Sequence, residues 1–382
     1  MKKVAVIGSG PSGLMCIYSL IESGITNITL FESDYQIGKR IRVSGNGRCN
    51  FFHNPITYEE YSSLKVKDYM EEFLINKEEI FLNLGLVYKE DDEGRMYPMS
   101  DSSRTVVRLF DRLLKRNRIK VRLQTLVTNI KEVNDKVKVF YNDVEEEFDE
   151  VVLAIGGFSF QYDKAQKLEF MEKINAKLTT LKPSLTPIIT SKYKNKDLEG
   201  KRFKVALSLY ENDSLIHKEN GEILFKKDGL SGIVTFNISA LLARRRIDNY
   251  SSFSLKIDFA PFYSKKELSE IIYDPNFTLE ENLEHLFIEE LKDEILMLDR
   301  KNIINNIKEY KLNVIGLYPL SSSQVTSGGI DLSTISSSFN LNRYKHIYPC
   351  GEILDIDGLC GGYNIAFAFA SGYKIGKIIA NK

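Results

Sequence analysis

The stretch "VAVIGSGPSGLMCIYSLIESGITNITLFE" constrains the fold of this chain more than any other part of it. An apolar run from Val4 to Ile7 leads into glycines at positions 8, 10 and 13, and Leu14 to Ile21 then has the apolar content of a helix that Gly24 can cap. A second apolar run, Ile28 to Phe31, ends at Glu32. Strand, turn, helix and strand in this order open a parallel sheet, and each glycine has a task in the turn. Gly8 permits the tight bend, Gly10 lets backbone N–H groups approach a pyrophosphate at the helix N-terminus, and Gly13 lets helix and strand pack closely. Pro11 and Ser12 belong to the same cofactor-binding turn. Glu32, about 20 residues on, is placed to accept hydrogen bonds from an adenosine ribose. A 2′-phosphate there would meet a like charge, which argues against NADP at this site. Glycines alone also suit a helix that merely starts with flexible residues; the flanking elements and Glu32 decide for a dinucleotide.

Further along, Val137 to Tyr141 and Val144 to Phe148 flank Asn142-Asp143 as a hairpin, and Val151 to Ile155 reads as a buried strand stopping at Gly156-Gly157. After Pro183 and Pro187, short strands alternate with polar turns to about residue 260. Charged amphipathic helices follow from Leu268 to Tyr310, and Val314 begins a return to glycine-rich, nucleotide-fold character. These readings give an α/β chain with a discontinuous domain at 1–187 and 314–382 and an insert at 188–313, β-rich to 260 and helical from 261.

Charge narrows the partners. Across 382 residues, 52 Lys plus Arg balance 52 Asp plus Glu, so no overall field attracts nucleic acid or an anionic membrane, and a small molecule is the expected partner. A concentrated basic face on the insert would revive a nucleic-acid partner. Four cysteines and four histidines suit neither a disulfide framework nor a metal site, which fits a reducing cytoplasm. Lys2 and Lys3 precede an apolar run, as in a signal peptide, but Gly8, Gly10, Pro11 and Gly13 interrupt it early. The best candidate span, Ile365 to Ala380, is broken by Ser371, Gly372, Lys374 and Lys377, short of the roughly 20 apolar residues that a bilayer requires.

Three features favour FAD over NAD. After Glu32 the chain runs from Ser33 to Gly38, Lys39 and Arg40, an extension that FAD-binding folds often lay along the pyrophosphate. The strand ending at Gly156-Gly157 resembles the "ATGG" turn of flavoproteins with two dinucleotide-binding domains. Near the C-terminus, Cys350-Gly351-Glu352 precedes "DIDGLCGGYNIAFAFASG", a turn into a small-residue helix. Gly362, Tyr363, Asn364 and Ile365 would start that helix and point its positive end at the pyrimidine edge of an isoalloxazine. An ordinary packed C-terminal helix is the alternative for this segment.

The polar, glycine-rich "VSGNGRCN" from Val43 reads locally as a surface loop. In its wider setting, "GKRIRVSGNGRCNFFHN" resembles the "GKKxxxSGxGRCNxTN" segment of a bacterial FAD-dependent family that includes aminoacetone oxidase-like and 3-dehydro-bile acid Δ4,6-reductase-like enzymes. The resemblance extends over nearly the whole chain, through "GRMYPMSDSSRTVV", "LFKKDGLSG", "VTSGGIDLSTI" and "CGEILDIDGLCGGYNIAFAFASG". It implies a Rossmann-type FAD-binding domain of the two-dinucleotide-binding-domain type with an inserted β-rich plus helical domain. It also implies that Ser44, Gly45, Gly47, Arg48, Cys49 and Asn50 wrap the flavin, and that Val127 offers backbone contacts to adenine. Cys49 lacks a resolving partner at C-x-x-C spacing, so a packed thiol is favoured over a redox one; with His53 alone it is too small a set for a metal.

The sequence departs from the family at Phe158 to Lys164, "FSFQYDK", where a Thr-Gly-Ser-Thr-Gly-type loop is usual, and at Lys226-Lys227, which replace a Thr-His pair. No general base is assigned; Arg95, Tyr97 and Tyr363 are candidates for the flavin-facing pocket. The expected activity is hydride transfer between a small organic substrate and non-covalently bound FAD, with NAD(P)H or oxygen as second redox partner. A non-catalytic FAD-binding or regulatory protein and an FAD-dependent RNA-modifying enzyme are the alternatives.

Overall fold

The computed structural model describes residues 2–159 and 164–382. They divide into two compact units, Met1–Lys182 with Val325–Lys382, and Pro183–Gln324.

The first unit is built on a five-stranded parallel sheet whose spatial order is Ile347–Pro349, Glu150–Leu153, Val4–Ile7, Ile28–Phe31, Lys120–Arg122. The central strand pairs Val4 with Glu150 on one side and with Ile28 on the other. Every residue of the strands Val4–Ile7, Ile28–Phe31 and Glu150–Leu153 is buried, as near-continuous apolar runs require when both faces of a parallel sheet are covered. The central strand is flanked by strands reached in opposite directions along the chain, so a crevice opens at its C-terminal end.

The helix Pro11–Glu22 leaves that end and is crossed by the C-terminal helix Tyr363–Asn381. The crossing is close because glycines sit at it: a Cβ built on Gly372 would lie 2.1 Å from the Ser12 carbonyl oxygen, and one on Gly376 would lie 2.5 Å from Ser19 Cβ. Ser19 Oγ donates to the Tyr373 carbonyl at 2.8 Å across the same contact. Fully buried Leu14, Met15, Ile17 and Leu20 hold the first helix to the core, each contributing roughly 1.5–3 kcal/mol of transfer free energy. The antiparallel ribbon Val127–Val133, Lys136–Tyr141, Val144–Phe148 turns at Asn142-Asp143, both left-handed as a two-residue hairpin loop demands.

The second unit is a closed six-stranded barrel. Its strands run Ile188–Thr190, Gly229–Ser231, Ser214–Lys226, Arg202–Glu211, Phe253–Asp258 and Tyr310–Leu317, and the last pairs back to the first. Gly229 is where closure leaves no room for a side chain, since its Cβ would stand 1.9 Å from the Ile188 carbonyl oxygen. Short helices at Lys265–Ile272, Leu279–Glu284, Glu289–Leu296 and Ile303–Lys308 follow the fifth strand. The boundary expected at 314 moves: Tyr310, Leu312 and Val314 alternate inward along the closing strand, and the chain rejoins the first unit at Val325. The second unit's entry and exit lie together, with the Gln324 N–H donating to the Leu185 carbonyl at 3.2 Å. Among the described residues no helix is long and apolar enough to cross a membrane.

Candidate functional site

The helix Pro11–Glu22 has Gly10 as its N-cap, no side-chain cap and no acidic residue in its first turn. Its leading N–H groups therefore have no partner within the helix and carry the positive end of its dipole. The three glycines of the turn divide by contact. Gly8 (φ +103°) would place a Cβ 2.3 Å from the Ala154 carbonyl oxygen, and Gly13 would place one 2.0 Å from the Gly8 carbonyl oxygen. At Gly10 a Cβ would meet nothing within 4 Å, and the same holds at Gly47 and Gly156. Gly8 and Gly13 are thus fixed by the protein's own packing, whereas Gly10, Gly47 and Gly156 border open space.

Glu32 is held at the end of the second strand. One carboxylate oxygen accepts the Ser9 N–H at 3.0 Å and the Ser9 hydroxyl; the other accepts the Asp34 N–H at 2.8 Å and lies 3.4 Å from the Ser33 hydroxyl. The Thr125 and Gln124 N–H groups donate to the Glu32 and Asp34 carbonyls at 2.8 and 2.9 Å, two and three residues before the buried Val127. Lys39 and Arg40 have protein partners: Lys39 pairs with Asp34 at 2.6 Å, and Arg40 donates to the Ser159 carbonyl.

Ser44–Gly47 forms a tight turn in which Gly45, Asn46, Gly47 and then Cys49 are all left-handed. The turn is closed by Arg48 N–H to the Gly45 carbonyl at 3.1 Å and Cys49 N–H to the Ser44 carbonyl at 3.0 Å. Cys49 is fully buried, and burial pushes its thiol up to about 12 against a lowering contact with Ser44, so it stays protonated and packed. The Arg48 guanidinium lies over the Tyr97 ring, 4.6 Å from its centroid. Asn50 Oδ1 is buried and accepts no hydrogen bond among the described residues.

The C-terminal segment meets this loop. Gly361 and Gly362 are left-handed, and a Cβ on Gly362 would lie 2.3 Å from the Phe52 carbonyl and 2.7 Å from Asn50 Oδ1. His53 Nδ1 donates to the Gly361 carbonyl at 3.0 Å, and its ring stacks on Tyr363 at 4.7 Å. A carbonyl can only accept, so the proton sits on Nδ1. The Tyr61 hydroxyl donates to the Tyr363 carbonyl at 2.9 Å. Gly351 (φ +76°) presses on Ser12, its Cβ position being 2.5 Å from Ser12 Oγ, and its N–H donates to Ser371 Oγ at 3.0 Å.

The side chains of two residues expected at the cofactor make bonds within the protein. The Asn364 side chain spans Gly358, accepting its N–H at 2.9 Å and donating to its carbonyl at 2.8 Å, so it closes the loop before the helix while Ile365 behind it is half-buried. Glu352 accepts the Thr326 N–H at 3.0 Å and covers Gly157, whose Cβ would stand 2.3 Å from its carboxylate. Of the altered loop at 158–164, residues 160–163 lie outside the described residues. Sequence reasoning passed over Ser9, Tyr61 and Ser371, and treated His53 only as a metal ligand; Ser9 alone had a readable signal, its place inside the turn.

The turn, the 44–50 loop, the 156–157 corner and the 350–363 segment thus converge at one end of the parallel sheet. Open glycine cradles, unpaired helix N–H groups, an anchored carboxylate and an orphaned amide oxygen fit an extended dinucleotide that carries an anionic centre.

A family model described as HI0933-like protein Rossmann domain matches residues 2–378. The chain is 25% identical to a 3-dehydro-bile acid delta(4,6)-reductase of Clostridium scindens, covering 100% of both chains. It is also 25% identical to a ribosomal RNA dihydrouridine synthase of Haemophilus influenzae, covering 96% of each. Among solved structures, the 3-ketosteroid-delta4-(5alpha)-dehydrogenase of Rhodococcus jostii RHA1 superposes with a TM-score of 0.53 at 12% identity, over 100% of this chain and 97% of that one. This last likeness concerns the fold alone.

Proposed function

The chain belongs to the HI0933-like Rossmann-domain family and is an FAD-dependent oxidoreductase, and we propose that the bond it reduces is a carbon–carbon double bond conjugated to a carbonyl. The observation that carries the FAD assignment is the convergence of the Gly8–Gly13 turn, Glu32, the 44–50 loop and the Gly351–Tyr363 segment on one crevice. The bond type comes from chemistry shared by two relatives: reduction of a 3-oxo-Δ4,6 system and of a uridine ring both add a hydride to the far carbon of a conjugated alkene and a proton to the near one. FAD supplies the hydride when bound, and NADH or NADPH restores it.

In this reading Gly10, Pro11, Ser12 and Gly13 hold the pyrophosphate, Glu32 the ribose, Val127 the adenine, and Gly45, Gly47, Asn50 and Gly362 the ring. Lys39 and Arg40 flank the phosphates, and Gly156 leaves room for the chain of the cofactor. The reaction runs in a reducing cytoplasm. A free ring compound is the first substrate reading; uridine within RNA is the second, favoured by the relative of Haemophilus influenzae.

Glu32→Ala should weaken FAD binding by roughly 10- to 150-fold, the 1.5–3 kcal/mol of a charge-assisted hydrogen bond, read by flavin fluorescence in a titration of the apoprotein. Unchanged affinity would remove Glu32 from the ribose.

The reaction itself is tested by anaerobic mixing of the yellow protein with NADH and NADPH in turn, followed by 2-cyclohexen-1-one or air. Bleaching by a nicotinamide and fast recolouring by the enone are expected. Recolouring by air alone would make the protein an oxidase, and no bleaching by either nicotinamide would favour a non-catalytic flavoprotein.

A further inference from the structure

The zero net charge conceals an uneven distribution. The helix Ser103–Arg116 carries Arg104, Arg108, Arg112 and Arg116 at four-residue spacing, all exposed, and residues so spaced follow one another along a helix face. Among the described residues none of the four makes an ion pair. The acid on this helix, Asp111, is taken by Lys115 at 2.7 Å. At the helix start the row runs into a cleft of about 530 Å³ lined by Arg104, Arg42, Ser102, Gly47 and Tyr35. Among the described residues the Arg42 side chain reaches only the Ile37 carbonyl, at 3.4 Å, and Tyr35 is 69% exposed. Charge, spacing and an exposed aromatic at the end of the row are the features with which proteins track a single strand: cations along phosphates and a ring on which a base stacks.

We propose that this face docks single-stranded RNA, with Arg104, Arg108 and Arg112 on successive phosphates and Tyr35 stacking a base at the mouth of the cleft. The inference rests on the second substrate reading above, in which a uridine is presented on RNA. It places the basic face on the nucleotide-binding unit, whereas the sequence directed attention to the insert.

The test is fluorescence anisotropy of a labelled oligouridine with the flavin-loaded protein. Affinity should fall about 20- to 50-fold between about 50 and 200 mM salt, as expected for three or four neutralised phosphates of a single strand. The combined variant Arg104→Gln, Arg108→Gln, Arg112→Gln should lose most of that binding and flatten the salt dependence at unchanged flavin content. Tyr35→Ala should cost about tenfold with little change in salt slope, in the range of one stacked base. Absence of binding at low salt, or equal binding by the triple variant, overturns the proposal. Binding to phosphatidylserine vesicles without binding to oligouridine overturns it as well and assigns the face to a membrane surface. If RNA fails to bind while the enone still recolours the reduced protein, the reduction reading stands alone; if RNA binds and no nicotinamide bleaches the flavin, the docking face stands without it.

Discussion

Gly10→Val should yield a folded protein that purifies colourless. The backbone at Gly10 is extended (φ −70°, ψ −177°) and open to any residue, and a Cβ there meets nothing within 4 Å. The native fold therefore accommodates the valine, and its methyl groups project into the space proposed for the pyrophosphate. FAD affinity should fall by about a hundredfold or more, roughly 2.8 kcal/mol, with the thermal transition of the apoprotein nearly unchanged. Gly13→Val provides the contrast. Its Cβ would overlap the Gly8 carbonyl at 2.0 Å, so that variant should lose solubility or stability before cofactor is considered. Full FAD occupancy in Gly10→Val would show that the pyrophosphate lies elsewhere.

Gly372→Leu should destabilise the apoprotein and empty the cofactor site together. Nothing flexible can yield at this position, because the atom 2.1 Å from the built Cβ is the Ser12 backbone oxygen. The two helices must separate or the C-terminal helix must shift. Overpacking of this kind costs roughly 3 kcal/mol or more, about 6–12 °C in Tm for a unit of this size. Ser12 sits in the first turn of the cofactor helix and against Gly351, so the displacement also moves the groups proposed to face the phosphates. Scanning calorimetry with and without FAD separates the two effects; an unaltered Tm would mean that the helices cross with slack.

The glycine turn was legible in the sequence because Gly8 and Gly13 are dictated by contacts a few residues away or by one neighbouring strand, and both leave a local signature. The hairpin at Asn142-Asp143 was legible for the same reason. The barrel was not: closure depends on Ile188–Thr190 pairing with Tyr310–Leu317, and nothing in the local pattern of either strand names its partner. The alternation of Tyr310, Leu312 and Val314 fits a barrel wall as well as an open sheet, which is why the boundary at 314 was misplaced. The part of Asn364 that the helix start makes legible is its backbone N–H; the bonds of its side chain with Gly358 have no signal in the sequence, because they depend on how the 358–362 loop folds back. The arginine row escaped notice because a net charge sums over the whole chain and carries no direction.

The second unit enters and leaves through neighbouring residues, Leu185 and Gln324, joined by a backbone hydrogen bond. Its barrel has no open edge strand to satisfy. A barrel that closes on itself and begins and ends at adjoining residues behaves as a cassette, able to change within its own ladder while its two ends stay in place.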